Sequence, residues 1–180
     1  MPQVTTLCDH AAMAIRFLKL SPTALAALLD GDLDAAGSAA GHPLSPFLIE
    51  ENWLWEIRLD DIRRDPRAAD WIARAAIAEP EGVVVGHGGF HGPPDADGVV
   101  EVAYTVAPQY RLRGYARQML EQLLARADAD PEVTAVRASI RPDNIGSKKV
   151  IAGFGFRKIG EQWDPEDGLE DVYLRPATGG

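Results

Sequence analysis

The stretch Arg111-Leu112-Arg113-Gly114-Tyr115-Ala116 constrains this chain more than any other. An apolar run, Val99-Val100-Glu101-Val102-Ala103-Tyr104-Thr105-Val106, precedes it, and a helical pattern opens at Ala116-Arg117-Gln118-Met119-Leu120. A strand that feeds a glycine-bearing turn and then a helix start makes an anion cradle. The first-turn N–H groups of a helix have no intrahelical partners, and the helix dipole favours negative charge there. Gly114 removes the Cβ that would keep a phosphate away from the backbone, and the small Ala116 keeps the approach clear. The segment reads as a holder for a phosphate-bearing cofactor. The plainer alternative is a turn flanked by solvated arginines.

The rest of the chain interleaves strands and helices. Ala14 to Leu20 reads as a strand, and Ser21-Pro22 as an N-cap followed by proline in the first helical turn. Helical pieces follow at Ala24 to Leu29 and Leu33 to Ala40, and Phe47 to Arg64 reads as mostly helical. Trp71 to Ala78, Gly82 to Phe90 and Val99 to Val106 read as strands, and Gly114 to Ala129 carries helical apolar spacing. Val133 to Ile140 alternates and is β-branched, as a strand does. A helix over Asn144 to Phe154 precedes a closing pair, Phe156 to Trp163 and Leu169 to Leu174, joined at Asp167-Gly168. This alternation predicts a mixed α/β layer fold.

At 180 residues, 46% apolar and 25% charged, the chain suits one domain over residues 1–180 with a sizeable core. No run of 18 or more apolar residues is present, so no transmembrane helix is expected. Met1 to Thr6 lacks the basic start and apolar core of a signal peptide. The single cysteine, Cys8, cannot form an internal disulfide and fits a reducing compartment. These features predict a cytoplasmic protein with no membrane partner. No Cys/His cluster has zinc spacing, so no metal is expected. The net charge of −9 argues against nucleic acid as the main partner.

Two later blocks complete a pattern: Asn144-Ile145-Gly146-Ser147 and Gly153-Phe154-Gly155-Phe156. Together with Arg111, Gly114 and Ala116 they make the chain resemble the GNAT-type N-acetyltransferase superfamily, in its ribosomal-protein N-acetyltransferase-like branch. The resemblance covers roughly Trp71 to Pro176. It implies a mostly antiparallel twisted sheet, flanked by helices on both faces and splayed in a V between the strands ending at Val106 and near Ile140. Acetyl-CoA enters that gap in the family. The resemblance also implies roles for particular residues. The backbone of Tyr104, Thr105 and Val106 pairs with the pantetheine arm, and the amides of Leu112, Arg113, Gly114, Tyr115, Ala116 and Arg117 hold the pyrophosphate. Arg111 and Arg113 add charge or are solvated. Asn144 reaches the cofactor with its amide, caps the following helix, or does both. Family analogy suggests a homodimer, while the sequence itself leaves the oligomeric state open.

Acetyl transfer to an amine needs a base, because an unperturbed lysine-like amine has a pKa near ~10.4. Glu101, in the strand beside the cofactor, is the first candidate, as relatives in that branch also carry a glutamate there; the alternative is an edge charge in a salt bridge. His87 and His91 share a strand face, and one of them could be a base or orient the acceptor; a backbone-satisfied histidine is the competing reading. Many family members carry a tyrosine seven residues after the motif asparagine, as the acid that protonates the leaving thiolate. Here that position is Ile151. Some carry a glutamate five residues before that asparagine, where this chain has Ser139. The acid is therefore Ser147, a bound water, or absent. The closing hairpin is rich in acid (Glu161, Asp164, Glu166, Asp167, Glu170, Asp171), either a negative rim that attracts a cationic amine or a solvated hairpin. Trp53, Trp55 and Trp163 wall the acceptor side or sit in the core, the core being favoured. The expected activity is acetyl transfer from acetyl-CoA to a small-molecule or peptide amine by direct attack in a ternary complex. A non-catalytic acyl-CoA-binding sensor is the alternative.

Overall fold

The computed structural model describes residues 14–179, so the amino-terminal segment with Cys8 lies outside the described residues. Strand β1 (Ala14–Lys19) leads into helix α1 (Pro22–Leu29). The Ser21 hydroxyl accepts the Ala24 N–H at 3.2 Å, the cap that its position before Pro22 predicts. Helix α2 (Leu33–Ala40) starts the same way, with Asp32 accepting the Ala35 N–H at 2.9 Å. The helical stretch from Phe47 is two helices, α3 (Phe47–Glu50) and α4 (Asn52–Arg64), with a break at Glu51 (φ −91°, ψ 22°). A 3₁₀ turn, Pro66–Asp70, follows.

Strands β2 (Arg74–Glu79), β3 (Val83–Phe90) and β4 (Val99–Val106) come next. β2 begins three residues later than the sequence suggests. Trp71 still has helical dihedrals as it leaves the 3₁₀ turn, and Ala73 has a positive φ of 53°. A second 3₁₀ turn, Pro108–Tyr110, precedes α5 (Tyr115–Ala129). Strand β5 (Ala135–Ile140), helix α6 (Ile145–Ile151), β6 (Arg157–Asp164) and β7 (Gly168–Pro176) complete the chain. The last helix ends at Ile151 rather than Phe154, and Gly155, at φ 79°, turns the chain toward β6. No helix among the described residues is long and apolar enough to cross a membrane.

All seven strands form one sheet in the order β1-β2-β3-β4-β5-β7-β6. Every neighbouring pair is antiparallel except β4 and β5. Those two run parallel and pair only over Val99↔Ala135, Val100↔Val136 and Glu101↔Arg137. Above Glu101 they part. The sheet thus opens as the expected V, one arm ending at Val106 and the other at Ile140. A Cβ on Gly86 would sit 2.1 Å from the Thr105 carbonyl oxygen, so glycine there lets β3 press close against the β4 arm.

Side chains alternate across a strand, so register assigns the two faces. Phe90, Val100, Val102 and Val136 fall on one face, against the buried Leu120, Leu123, Leu124 and Ala127 of α5. Truncating one such buried leucine to alanine typically costs about 2–5 kcal/mol. His87, Glu101, Thr105, Arg137 and Ser139 fall on the other face, where α3 and α4 lie. The Asp128 carboxylate, at the end of α5, takes two 2.8 Å bonds from Arg175 of β7 and one of 2.9 Å from the Thr178 N–H. Arg175 thereby holds Asp128 well below the usual carboxylate range and ties α5 to the β7 arm.

Candidate active site

The site begins where β4 loses its partner. From Val102 to Val106 the strand pairs with β3 on one edge and has no β5 partner on the other. The chain then passes Arg111 (φ −64°, ψ 160°), Leu112 (φ 61°) and Gly114 (φ 86°) before α5. Leu112 is fully exposed and left-handed, a costly conformation for a leucine. These two left-handed residues bend the chain sharply into the start of α5. The N-terminus of α5 has no side-chain cap, which leaves its first-turn N–H groups for a ligand. Arg111, Arg113 and Arg117 surround the turn. All three are exposed, with local contacts: Arg111 Nε donates to the Val106 carbonyl at 3.2 Å, Arg113 lies over the Tyr110 ring, and Arg117 lies over the Phe154 ring and pairs with Glu121.

Register places Tyr104 and Val106 on the α5 face and Thr105 opposite His87. Burial pushes the Tyr104 phenol up to about 12, so it stays protonated at neutral pH. Asn144 caps α6: its Oδ1 accepts the Ser147 N–H at 3.0 Å, and its amide NH₂ has no partner among the described residues. One side chain can therefore cap the helix and still offer a donor. Ser147 is half-buried in the first turn of α6, on the β5 side of the split. Ile151 is buried and apolar, so the position that carries a tyrosine in the family offers no proton here.

The other face of the split carries charged side chains from several elements. Glu101 is half-buried and makes no ion pair among the described residues, contrary to the edge salt-bridge alternative. His91 lies across from it, its N–H bonding the Glu101 carbonyl at 2.8 Å. The His91 ring keeps an exposed edge, yet its pKa is lowered, first by desolvation among its neighbours and further by Arg58; Glu101, Glu170 and Asp61 oppose the shift. Arg58 is tied to Asp61 at 2.8 Å. His87 is buried, but its partner is not the backbone. Its Nε2 lies 3.2 Å from Glu51 Oε2, and Phe47 and Trp55 pack against its ring. Glu51, Arg58 and Asp61 carry no motif that could have singled them out in sequence.

The acidic hairpin divides in two. Asp171 is buried between Lys148 (2.6 Å) and Lys158 (2.5 Å) on the α6 face, and Glu161 also pairs with Lys158. These two acids are neutralised and do not form a free negative rim. The Asp164 carboxylate accepts the backbone N–H groups of Glu166 and Asp167, which lower its pKa. Glu170 is buried on the Glu101 face. The tryptophans divide as well. Trp55 is a core residue, its Nε1 donating to the Leu48 carbonyl, while Trp53 and Trp163 are largely exposed, against the expectation of core positions.

A split sheet with a free strand edge, leading to an uncapped helix start, defines a class of acyl-CoA-dependent transferases. Residues 25–157 match the family model for the acetyltransferase (GNAT) domain, and the chain belongs to that family. A 73-residue stretch is 32% identical to YjdG of Bacillus subtilis (strain 168), an uncharacterized N-acetyltransferase. That stretch is 41% of this chain and 44% of YjdG, so the match spans less than half of that relative. Among solved structures, the fold is similar to RimL, a ribosomal L7/L12 alpha-N-protein acetyltransferase in complex with coenzyme A (TM-score 0.63, 14% identity, 93% and 96% of the two chains). It is also similar to the microcin C7 self-immunity acetyltransferase MccE in complex with acetyl-CoA and AMP (TM-score 0.60, 12% identity, 91% and 92%). A GNAT acetyltransferase from Bacillus anthracis aligns over 91% and 95% (TM-score 0.57, 17% identity).

Proposed function

We propose that this chain moves an acetyl group from acetyl-CoA to a primary amine by direct attack in a ternary complex. The unpaired β4 edge that runs into the left-handed turn and uncapped α5 carries the reading. The residues fit the donor. A pantetheine arm needs strand-like partners, which Tyr104, Thr105 and Val106 can supply. A pyrophosphate needs clustered N–H donors and nearby cations, which the segment from Leu112 to Arg117, with Arg111, can supply. The Asn144 amide adds a side-chain donor.

The thioester supplies the acyl group and the leaving thiolate. The chain's own task is to manage protons. Glu101 takes the proton of the acceptor ammonium, directly or through water, which exposes the nitrogen lone pair. His91, kept neutral by its surroundings, can pass that proton on to solvent. As the C–N bond forms and the C–S bond breaks, the Ser147 hydroxyl or a water protonates the thiolate and is restored by the second proton that the nitrogen releases, because Ile151 cannot donate. The acceptor is a small-molecule or peptide amine and the setting cytoplasmic.

Two assays test this. A thermal melt with acetyl-CoA should show a rise, and an amine panel should show release of the CoA thiol. The buried Ile151 favours a second reading, a sensor that binds acyl-CoA without turnover. Ligand-dependent stabilisation with slow hydrolysis alone, whatever the amine, selects the sensor. Neither stabilisation nor turnover overturns both.

A further inference from the structure

On the face that carries Glu101, a second carboxylate is built into place. Gln162 and Glu170 are cross-strand neighbours in the β6–β7 pair, and Ser139 of β5 faces Val172 of β7, two residues from Glu170. Alternation puts Ser139, Glu170 and Gln162 on the face of Arg137 and Glu101. The Gln162 amide donates to both sides, to Ser139 Oγ at 3.1 Å and to Glu170 Oε2 at 2.9 Å. Three strands thus fix one carboxylate.

Glu170 is 9% exposed, and Gln162 is its one donor among the described residues. A buried carboxylate with a single neutral donor is poorly compensated. Among the described residues Glu170 Oε1 has no hydrogen-bond partner, and it is not one of the fully sealed unpartnered atoms there, which are Arg74 Nε, Gln118 Oε1 and Arg137 Nε. Its field reaches His91, as that of Glu101 does. The other acids nearby are occupied: Asp61 by Arg58, Glu51 by His87, and Asp164 by its own turn. Among the described residues Glu101 and Glu170 have no cation partner, although Arg137 is the register neighbour of Glu101.

Resting on the transferase reading above, we propose that Glu170 is an acceptor-anchoring residue, and that the preferred acceptor carries two cationic nitrogens. Glu101 takes the proton from the attacking amine, while Glu170, positioned by Gln162, holds the second ammonium. A charge-assisted bond of this kind is worth about ten-fold or more in selectivity.

The test compares diaminobutane, diaminohexane and diaminooctane with monoamines of equal chain length, using wild type and Glu170→Gln. The wild type should favour at least one diamine over its monoamine by about ten-fold in kcat/KM, mainly through KM. In Glu170→Gln that ratio should collapse toward one through a rise in the diamine KM, with the acetyl-CoA melt intact. Gln162→Leu, which leaves the carboxylate in place but unheld, should lower the ratio part of the way. Equal ratios in wild type and Glu170→Gln, or no diamine preference in wild type, overturn the assignment. Calorimetric titration of the diamines with CoA present separates this inference from the catalytic reading. Diamine binding lost in Glu170→Gln, without turnover in wild type, would keep the anchor and discard the transferase. Turnover of monoamines with no diamine preference would do the reverse.

Discussion

Between Val106 and Arg117 one unbroken segment presents backbone N–H groups, while above Glu101 the polar groups arrive as side chains from α4, β3, β4, β5, β6 and β7. The first region is shaped by dihedrals: a left-handed Leu112, a left-handed Gly114 and a helix start. The second is shaped by sheet register and packing, as in Gln162 reaching both Ser139 and Glu170. On the proposed assignment, the two substrates are recognised in different ways. A phosphate-bearing donor can be held by atoms that every residue carries, whereas an acceptor must be selected by particular side chains. The donor region should therefore resist side-chain substitution but fail when its backbone geometry is blocked, and the acceptor region should do the opposite.

The largest effect tests the acceptor side. Glu101→Gln should lower turnover about a hundred- to ten-thousand-fold and leave acetyl-CoA stabilisation unchanged. Steady-state kinetics with a paired melt checks it, and an unchanged rate across pH would remove Glu101 as the base. The donor side is challenged by Gly114→Asp. At φ 86° any side chain is strained, and a carboxylate there repels phosphate. The stabilisation of about 2.7 kcal/mol expected with acetyl-CoA at a hundred times its Kd should vanish, which for this size removes a melting rise of about 5–10 °C.

A third substitution reaches the clamp between α5, which begins at the donor turn, and the β7 arm. Asp128→Asn should destabilise by about 2 kcal/mol, since it leaves the largely buried Arg175 without its counter-ion. The pH dependence has a definite sign. Arg175 depresses the folded pKa of Asp128, so the contribution is present above the unfolded value of about 4 and is lost as pH falls further toward the folded value. Melts of wild type and Asp128→Asn should converge in acid. A constant gap from pH 7 down to 3 would show that the pair is not what separates them. The smallest effect is expected from His87→Phe, which keeps the aromatic packing with Phe47 and Trp55 but releases Glu51. A loss of about 1 kcal/mol in stability is expected, with a change in acceptor KM rather than in acetyl-CoA binding.

The donor region was legible because its information is local. Capping by Ser21, the glycine turn at Gly114, and the Asn144 cap follow from neighbouring residues, and the sequence order of strand, turn and helix survives folding. Element ends were less legible: Trp71 and Ile72 look like strand residues, but the preceding 3₁₀ turn and the left-handed Ala73 keep them out of β2. The acceptor face was mostly illegible. Glu170 and Asp171 are adjacent and chemically alike, yet one lies on the Glu101 face, held by Gln162, and the other is clamped between two lysines on the opposite face. His87 gave no sign that its partner lay at Glu51, across the break between two helices.

The sequence by itself determined the alternation of elements, the glycine turn before α5 and the likeness to an acetyltransferase family, because short-range dihedral preferences and periodicity are written residue by residue. Only the tertiary structure decided which carboxylates are paired, which are free, and which face each one serves. A one-residue step along a strand reverses the side that a charge occupies, and its partner belongs to a segment far away in the chain.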